Sequence, residues 1–276
     1  MTPLRNLTTA LAIGMALSAP LPAPAQSRAP ERVALVIGNA DYTVRPLRNP
    51  VNDARAVADS LKGLGYDVVT KENASMSAML DAMRDFWLRS RRASVRVLYY
   101  SGHGVQYGGR NFLVPVDAVL KAEDEVPRKA VSASDLVDKL AASGAAVNIV
   151  ILDACRTPPW TGTTRTRGGA QVPAIASGLA SAVAPQGTLI AFATAPGAVA
   201  LDGTEGNGVY TRHLLSQIKV PGLAVEQLFK RVRTGVLKET GEKQIPWETS
   251  SLTGDFCFRA GRAGECPAAV LFEAPR

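Results

Sequence analysis

Few of the side chains able to act as nucleophile or proton carrier stand where a fold could bring them together. The chain holds two histidines and three cysteines. His103 lies in Tyr99-Tyr100-Ser101-Gly102-His103-Gly104, directly after an apolar run, and Cys155 closes a second such run in Ile151-Leu152-Asp153-Ala154-Cys155-Arg156. A thiol beside an imidazole is a nucleophile–base pair for acyl transfer, because the thiolate is the attacking species and the imidazole moves the proton. The plainer alternative for Cys155 is a buried, inert cysteine, a common fate of that residue. His213 falls inside a helical apolar pattern and reads as a partly exposed helix residue. Cys257 and Cys266 are nine apart around Gly261 and Gly264. A disulfide could close that loop, which in an oxidising compartment would leave Cys155 as the free thiol. With no CxxC, no HExxH and no other paired Cys/His spacing, a zinc site has little to build on.

The elements that must position these residues follow from periodicity. Residues 32–37 (RVALVI) form a β-branched apolar run closed by Gly38, the pattern of a strand buried on both faces. Asn49-Pro50 reads as an N-cap with proline at the first helical position, and Val51, Ala54, Val57, Leu61 and Leu64 carry a helix that Gly65 ends. Further strands are expected at 68–70, 95–100, 147–152, 187–193 and 256–258. Further helices are expected at 75–88, from Ser132 through Leu140, at 209–218, and through Val225, Leu228, Val232 and Val236. Residues 104–115 read as a hairpin turning at Tyr107-Gly108-Gly109. Alternating strands and helices give an α/β fold with a mostly parallel sheet of about six strands and helices on both faces. In such sheets chemistry collects at the carboxyl ends of strands, which is where His103 and Cys155 stand.

Composition sets the frame. The 276 residues are 46% hydrophobic and 20% charged, enough for one elaborated domain without metal or disulfide scaffolding. Residues 1–25 read as a signal peptide: Arg5 gives a positive start, residues 7–17 are uncharged, and Ala23-Pro24-Ala25 offers small residues for cleavage before Gln26. Its removal takes the formal charge from +7 to +6 and implies export to a bacterial periplasm or the exterior. No other apolar stretch reaches the 18 residues of a candidate span, so no membrane association is expected after its removal. Arg84, Arg89, Arg91, Arg92 and Arg96 cluster near the second helix, but without a stacking platform or motif they read as a solvated face and not a nucleic-acid site.

YYSGHGVQ, NFLVPVDA and LDACR, with RVALVIGNADY, LRNPVNDA, GTLIAFATAPG and NGVYT, resemble the caspase-like clan of cysteine peptidases, most closely bacterial metacaspase-like proteins, also called orthocaspases. The resemblance runs from Arg32 to Phe256 and implies a caspase-like three-layer sandwich as a single domain over 26–276, with its core at about 31–258. It implies Cys155 as nucleophile and His103 as proton carrier in a dyad, with the oxyanion held by the backbone N–H groups of Gly104 and Cys155. The glycines beside His103 fit a close approach of substrate backbone and a turn with permissive dihedrals.

In metacaspases the positions matching Asp53, Ser101 and Asp153 line the pocket for the residue before the cut. Two carboxylates there favour Arg or Lys and repel Asp. Asp53 also suits the N-terminus of its helix. Calcium-dependent metacaspases carry an acidic stretch after the histidine region, which GHGVQYGGRNF lacks; Asp117, Glu123, Asp124 and Glu125 match no calcium-loop spacing, so no metal, no cofactor and no calcium dependence are expected. The linker 157–186 is rich in Pro, Gly, Thr and Ala, and its Arg165 and Arg167 are candidate self-cleavage points. The expected activity is a cysteine endopeptidase acting on peptides or proteins after Arg or Lys; a silent caspase-fold binding or scaffold protein is the alternative. Substrate identity and oligomeric state are not legible.

Overall fold

The computed structural model describes residues 31–142, 147–155, 179–180, 182–195, 206–262 and 266. The proposed signal peptide and both linker arginines lie outside these residues. The first strand, β1 (Arg32–Gly38), is followed by α1 (Pro50–Gly63), β2 (Asp67–Glu72), α2 (Met76–Ser90) and β3 (Val95–Tyr107). Then come β4 (Arg110–Leu113), a 3-10 turn at Glu123–Glu125, α3 (Val126–Lys129), β5 (Val131–Ser132) and α4 (Ala133–Ala142). β6 (Val147–Cys155), β7 (Thr188–Phe192), α5 (Val209–Gln217), α6 (Val225–Thr240) and β8 (Trp247–Ser250) complete the order.

The main sheet runs β2-β1-β3-β6-β7-β8, parallel except for β8, which pairs antiparallel with β7. Along β3 and β6 alternate residues enter different cores. Val97, Tyr99, Ile149 and Ile151 pack with α1, α5 and α6, through residues such as Leu61, Leu214 and Val232. Leu98, Tyr100, Val150 and Leu152 pack with α2 and α4, through Met79, Phe86, Leu136 and Leu140. Both faces are covered, which is why these strands read as unbroken apolar runs.

Four expectations change. β3 does not end at Tyr100 but continues through His103 to Tyr107, and the residues after His103 form the hairpin with β4. The final strand is β8, not residues 256–258; Phe256 and Phe258 are buried without strand pairing, ring against ring at 5.2 Å. Asn49 stands at the N-cap of α1 without a side-chain cap bond, whereas Ser75 does cap α2, accepting from the Ala78 N–H at 3.3 Å. Arg96 is no part of a solvated face. It is buried in β3, donating to the Ser90 carbonyl at 2.9 Å and the Leu140 carbonyl at 3.5 Å, in the last turns of α2 and α4, where a cation suits the helix dipole. Of the remaining cluster, Arg89 bridges Asp85 and Asp67, and Arg84 pairs with Asp81.

Candidate active site

His103 sits where β3 changes partners. Up to His103 the strand pairs in parallel with β6, and from Gly104 onward it pairs antiparallel with β4. In the parallel ladder the Cα partner of His103 is Cys155, the last pair, and two steps earlier Ser101 is the partner of Asp153. The end of the parallel ladder thus brings together residues 52 positions apart in sequence.

The loop after β1 holds the histidine by its backbone N–H and by its ring, and Tyr100 of β3 holds its carbonyl. The Tyr42 hydroxyl accepts from the His103 N–H at 2.9 Å, and the Tyr42 ring lies 4.3 Å from the imidazole. Tyr100 donates to the His103 carbonyl at 2.7 Å. Nε2 of His103 lies 2.8 Å from the carbonyl oxygen of Arg45. A carbonyl oxygen only accepts, so Nε2 carries the proton in the neutral ring and Nδ1 carries the lone pair. Arg45 reaches this position with φ of 55°, a left-handed conformation uncommon outside glycine. No third side chain was expected beside His103 and Cys155; what lies against Nε2 is a backbone carbonyl, which no residue type signals.

The glycines flanking His103 answer to packing. A Cβ on Gly102 would stand 2.6 Å from the Tyr42 hydroxyl and 2.7 Å from the Tyr100 hydroxyl. One on Gly104 would stand 2.9 Å from both the Ala154 Cβ and Leu179 Cδ2. Gly102 also holds φ at 156°, where side chains are rarely found, so the expected permissive dihedral is present there and close packing adds to it.

The three residues expected to line a pocket are neighbours. Asp53, buried in the first turn of α1, accepts from Ser101 Oγ at 3.3 Å through Oδ2. Its Oδ1 accepts from Asn207 Nδ2 and from the Gly208 N–H, each at 2.9 Å. Gly208 is the N-cap of α5, so two helix N-termini converge on one carboxylate, the charge placement that their dipoles favour. Asp153, half-buried, accepts from Thr211 Oγ1 at 2.7 Å, and Thr211 also bonds the Tyr99 hydroxyl. Burial pushes the Tyr99 phenol well above the ordinary tyrosine value, and the nearby Asp53 and Asp153 charges push it the same way. It therefore stays protonated and available as a donor. Asn207 and Thr211 were not singled out by sequence reasoning, because their contacts span 154 and 58 residues.

A family model for the caspase domain matches residues 31–257. The chain belongs to the caspase-domain family. Its mixed sheet with helices on both faces is the caspase-like α/β sandwich, and the family is one of cysteine peptidases. Two curated relatives match over 132 residues at 30% identity: the human mucosa-associated lymphoid tissue lymphoma translocation protein 1 and its mouse homolog. The matched segment is 48% of this chain and 16% of each relative.

The other candidate residues of this caspase domain lie apart from the His103–Cys155 pair. Cys257 and Cys266 are joined in a disulfide with Cα atoms 5.9 Å apart. His213 is half-buried between α5 and α6, its Nε2 2.8 Å from Glu239 Oε2. The four acidic residues considered for calcium have other engagements: Asp117 accepts from the Met76 N–H, Asp124 pairs with Arg128, Glu125 pairs with Lys129, and Glu123 sits in the 3-10 turn. Among the described residues no group of three His, Cys, Asp or Glu is placed to hold a metal ion. Among the same residues no helix is long and apolar enough to cross a membrane.

Proposed function

We propose that this caspase domain is a cysteine endopeptidase that hydrolyses peptide bonds after Arg or Lys. One observation carries it: the ladder between β3 and β6 ends in the pair His103 and Cys155, and two steps earlier the same ladder holds Ser101 and Asp153, with Asp53 bonded to Ser101. Nucleophile, base and two carboxylates thus share one edge of the sheet.

In the reaction His103 Nδ1 takes the Cys155 thiol proton, and the thiolate forms a bond to the scissile carbonyl carbon as the carbonyl electron pair moves onto oxygen. The backbone N–H groups of Gly104 and Cys155 would hold that oxyanion. The C–N bond then breaks, the amine leaves with the proton from His103, and a thioester remains. Water, deprotonated by His103, attacks the thioester and releases a carboxylic acid and the free thiol. The Arg45 carbonyl keeps the proton of Nε2 in place, so that Nδ1 is the nitrogen left to take up and return the proton. Asp53 and Asp153 would receive the guanidinium or ammonium of the residue before the cut. We propose no cofactor and no calcium requirement.

A peptide chloromethyl ketone with arginine next to the warhead tests this directly. We expect a stoichiometric adduct on Cys155, absent in His103→Ala and absent with an aspartyl warhead. A Cys155 that takes no adduct would place the protein with silent caspase-fold scaffolds. Self-processing after Arg165 or Arg167 belongs to the same proposal, and equal fragmentation of wild type and Cys155→Ala on incubation would sink it. Export after loss of residues 1–25 is likewise proposed, supported by the Cys257–Cys266 disulfide. Sequencing the N-terminus of protein recovered from the periplasm or medium checks it: the chain should begin at Gln26.

A further inference from the structure

The two pocket carboxylates come from distant places, Asp53 from α1 and Asp153 from β6, yet the start of α5 touches both. Asn207 Nδ2 and the Gly208 N–H bond Asp53 Oδ1, and one turn later Thr211 Oγ1 bonds Asp153 Oδ2. Thr211 is fully buried, and its hydroxyl has one proton. Since that proton goes to the carboxylate, the Tyr99 hydroxyl must be the donor in the Tyr99–Thr211 bond. This gives a directed relay of Tyr99 to Thr211 to Asp153. Asn207 is fixed in turn from outside the pocket: Arg212 donates to its carbonyl at 3.3 Å and is itself paired with Glu239 of α6.

We infer that Asn207 and Thr211 are positioning residues that set the orientation of Asp53 and Asp153, and through it the preference for arginine over lysine. The inference rests on the specificity proposed above and deepens it. A guanidinium is a planar fork that needs acceptors at fixed angles, whereas an ammonium is a point charge on a flexible stem. If a carboxylate loses its holding bond it keeps its charge but rotates, which weakens binding of arginine more than of lysine. Hydrogen bonds that hold side chains around a pocket act on substrate binding, so KM should carry the change and kcat should not.

The test compares arginyl and lysyl fluorogenic peptides on wild type, Thr211→Val, Thr211→Ser and Asn207→Ala. Valine keeps the volume and removes the hydroxyl. For Thr211→Val we expect KM for the arginyl peptide to rise roughly tenfold and that for the lysyl peptide less than about threefold, the scale of losing a hydrogen bond to a charged group. Its kcat should stay within about twofold on the arginyl peptide, since the bonds lost act on binding alone. Thr211→Ser should restore wild-type values, and Asn207→Ala should shift the ratio in the same direction. Should Thr211→Val fail to fold, Asn207→Ala and Tyr99→Phe read out the same arrangement. An unchanged arginine-to-lysine ratio in folded variants, or equal losses on both peptides that serine does not rescue, would overturn the inference and leave the specificity standing. A wild-type protein that cuts after neither residue would overturn both.

Discussion

His103 and Cys155 are Cα partners, the last pair of the parallel ladder between β3 and β6, and the next residue of β3 already belongs to an antiparallel hairpin. Both residues thus stand where the two ladders part, and both remain anchored in the parallel one. A site on regular strands is held more rigidly than one on loops, because the ladder fixes the backbone of both members.

The Arg45 carbonyl is the part of this arrangement that depends on an unusual backbone. Proline at position 45 would force φ near −65° and remove the left-handed turn that aims the carbonyl at Nε2. Arg45→Pro should lower kcat on an arginyl peptide by on the order of a hundredfold, the lower range for proton-transfer catalysis. Arg45→Gly, which accepts a positive φ, should keep most of it. Steady-state kinetics on the two folded variants decides, and a Pro variant with wild-type kcat would remove Arg45 from the account.

Gly104 tests whether packing sets the residue type beside the histidine. A methyl group there meets Ala154 and Leu179 at 2.9 Å, so Gly104→Ala should cost about 1–3 kcal/mol through overpacking. At Gly63, the last residue of α1, an added Cβ meets nothing within 4 Å. There the same change should stabilise by about 0.5 kcal/mol, as helical alanine does over glycine. Urea unfolding of both variants gives the sign of each effect.

Buried tyrosines give the fold a defined alkaline limit. Burial is the main cause that pushes the phenols of Tyr66, Tyr99, Tyr100 and Tyr210 above the ordinary value. Unfolded tyrosine ionises near pH 10, so the folded state binds these protons more tightly. The stabilisation is whole below about pH 10 and is lost as pH rises toward the folded values, at roughly 1.4 kcal/mol per pH unit for each tyrosine. Among the described residues the Tyr210 hydroxyl finds no hydrogen-bond partner, so Tyr210→Phe should be neutral or stabilising at pH 7 and should flatten the alkaline slope. Unfolding midpoints measured from pH 7 to 11 check both parts.

The cysteines divide by position. Peptide mapping without reduction should recover Cys257 joined to Cys266 and Cys155 open to alkylation. Reducing the disulfide should cost about 3 kcal/mol, the loop-closure value for a link of this span. A Cys155 found in an intramolecular disulfide would contradict the division.

Much of this was legible in the sequence, for a physical reason. Parallel strands buried on both faces leave continuous runs such as VNIVIL, and the topology of such sheets directs attention to the residues that follow them, His103 and Cys155. Arg96 was within reach of the same logic, since any residue inside the run VRVLYY is buried; its neighbours in charge drew it to the surface cluster instead. The Arg45 carbonyl was not legible, because a backbone oxygen aimed by a positive φ at an arginine leaves no mark in residue type. Asn207 and Thr211 were missed for another reason. They act through contacts that only the closing of α5 onto the sheet creates. Phe256 and Phe258 have strand-like composition, but they serve to cover the core rather than to pair.

The most direct test of the central claim is hydrolysis of short fluorogenic peptides ending in Arg, Lys or Asp by the mature protein, beside Cys155→Ala and His103→Ala. The account predicts fluorophore release from the Arg and Lys peptides alone, abolished in both variants and unaffected by calcium chelation. Release after Asp, or activity that survives Cys155→Ala, would contradict it.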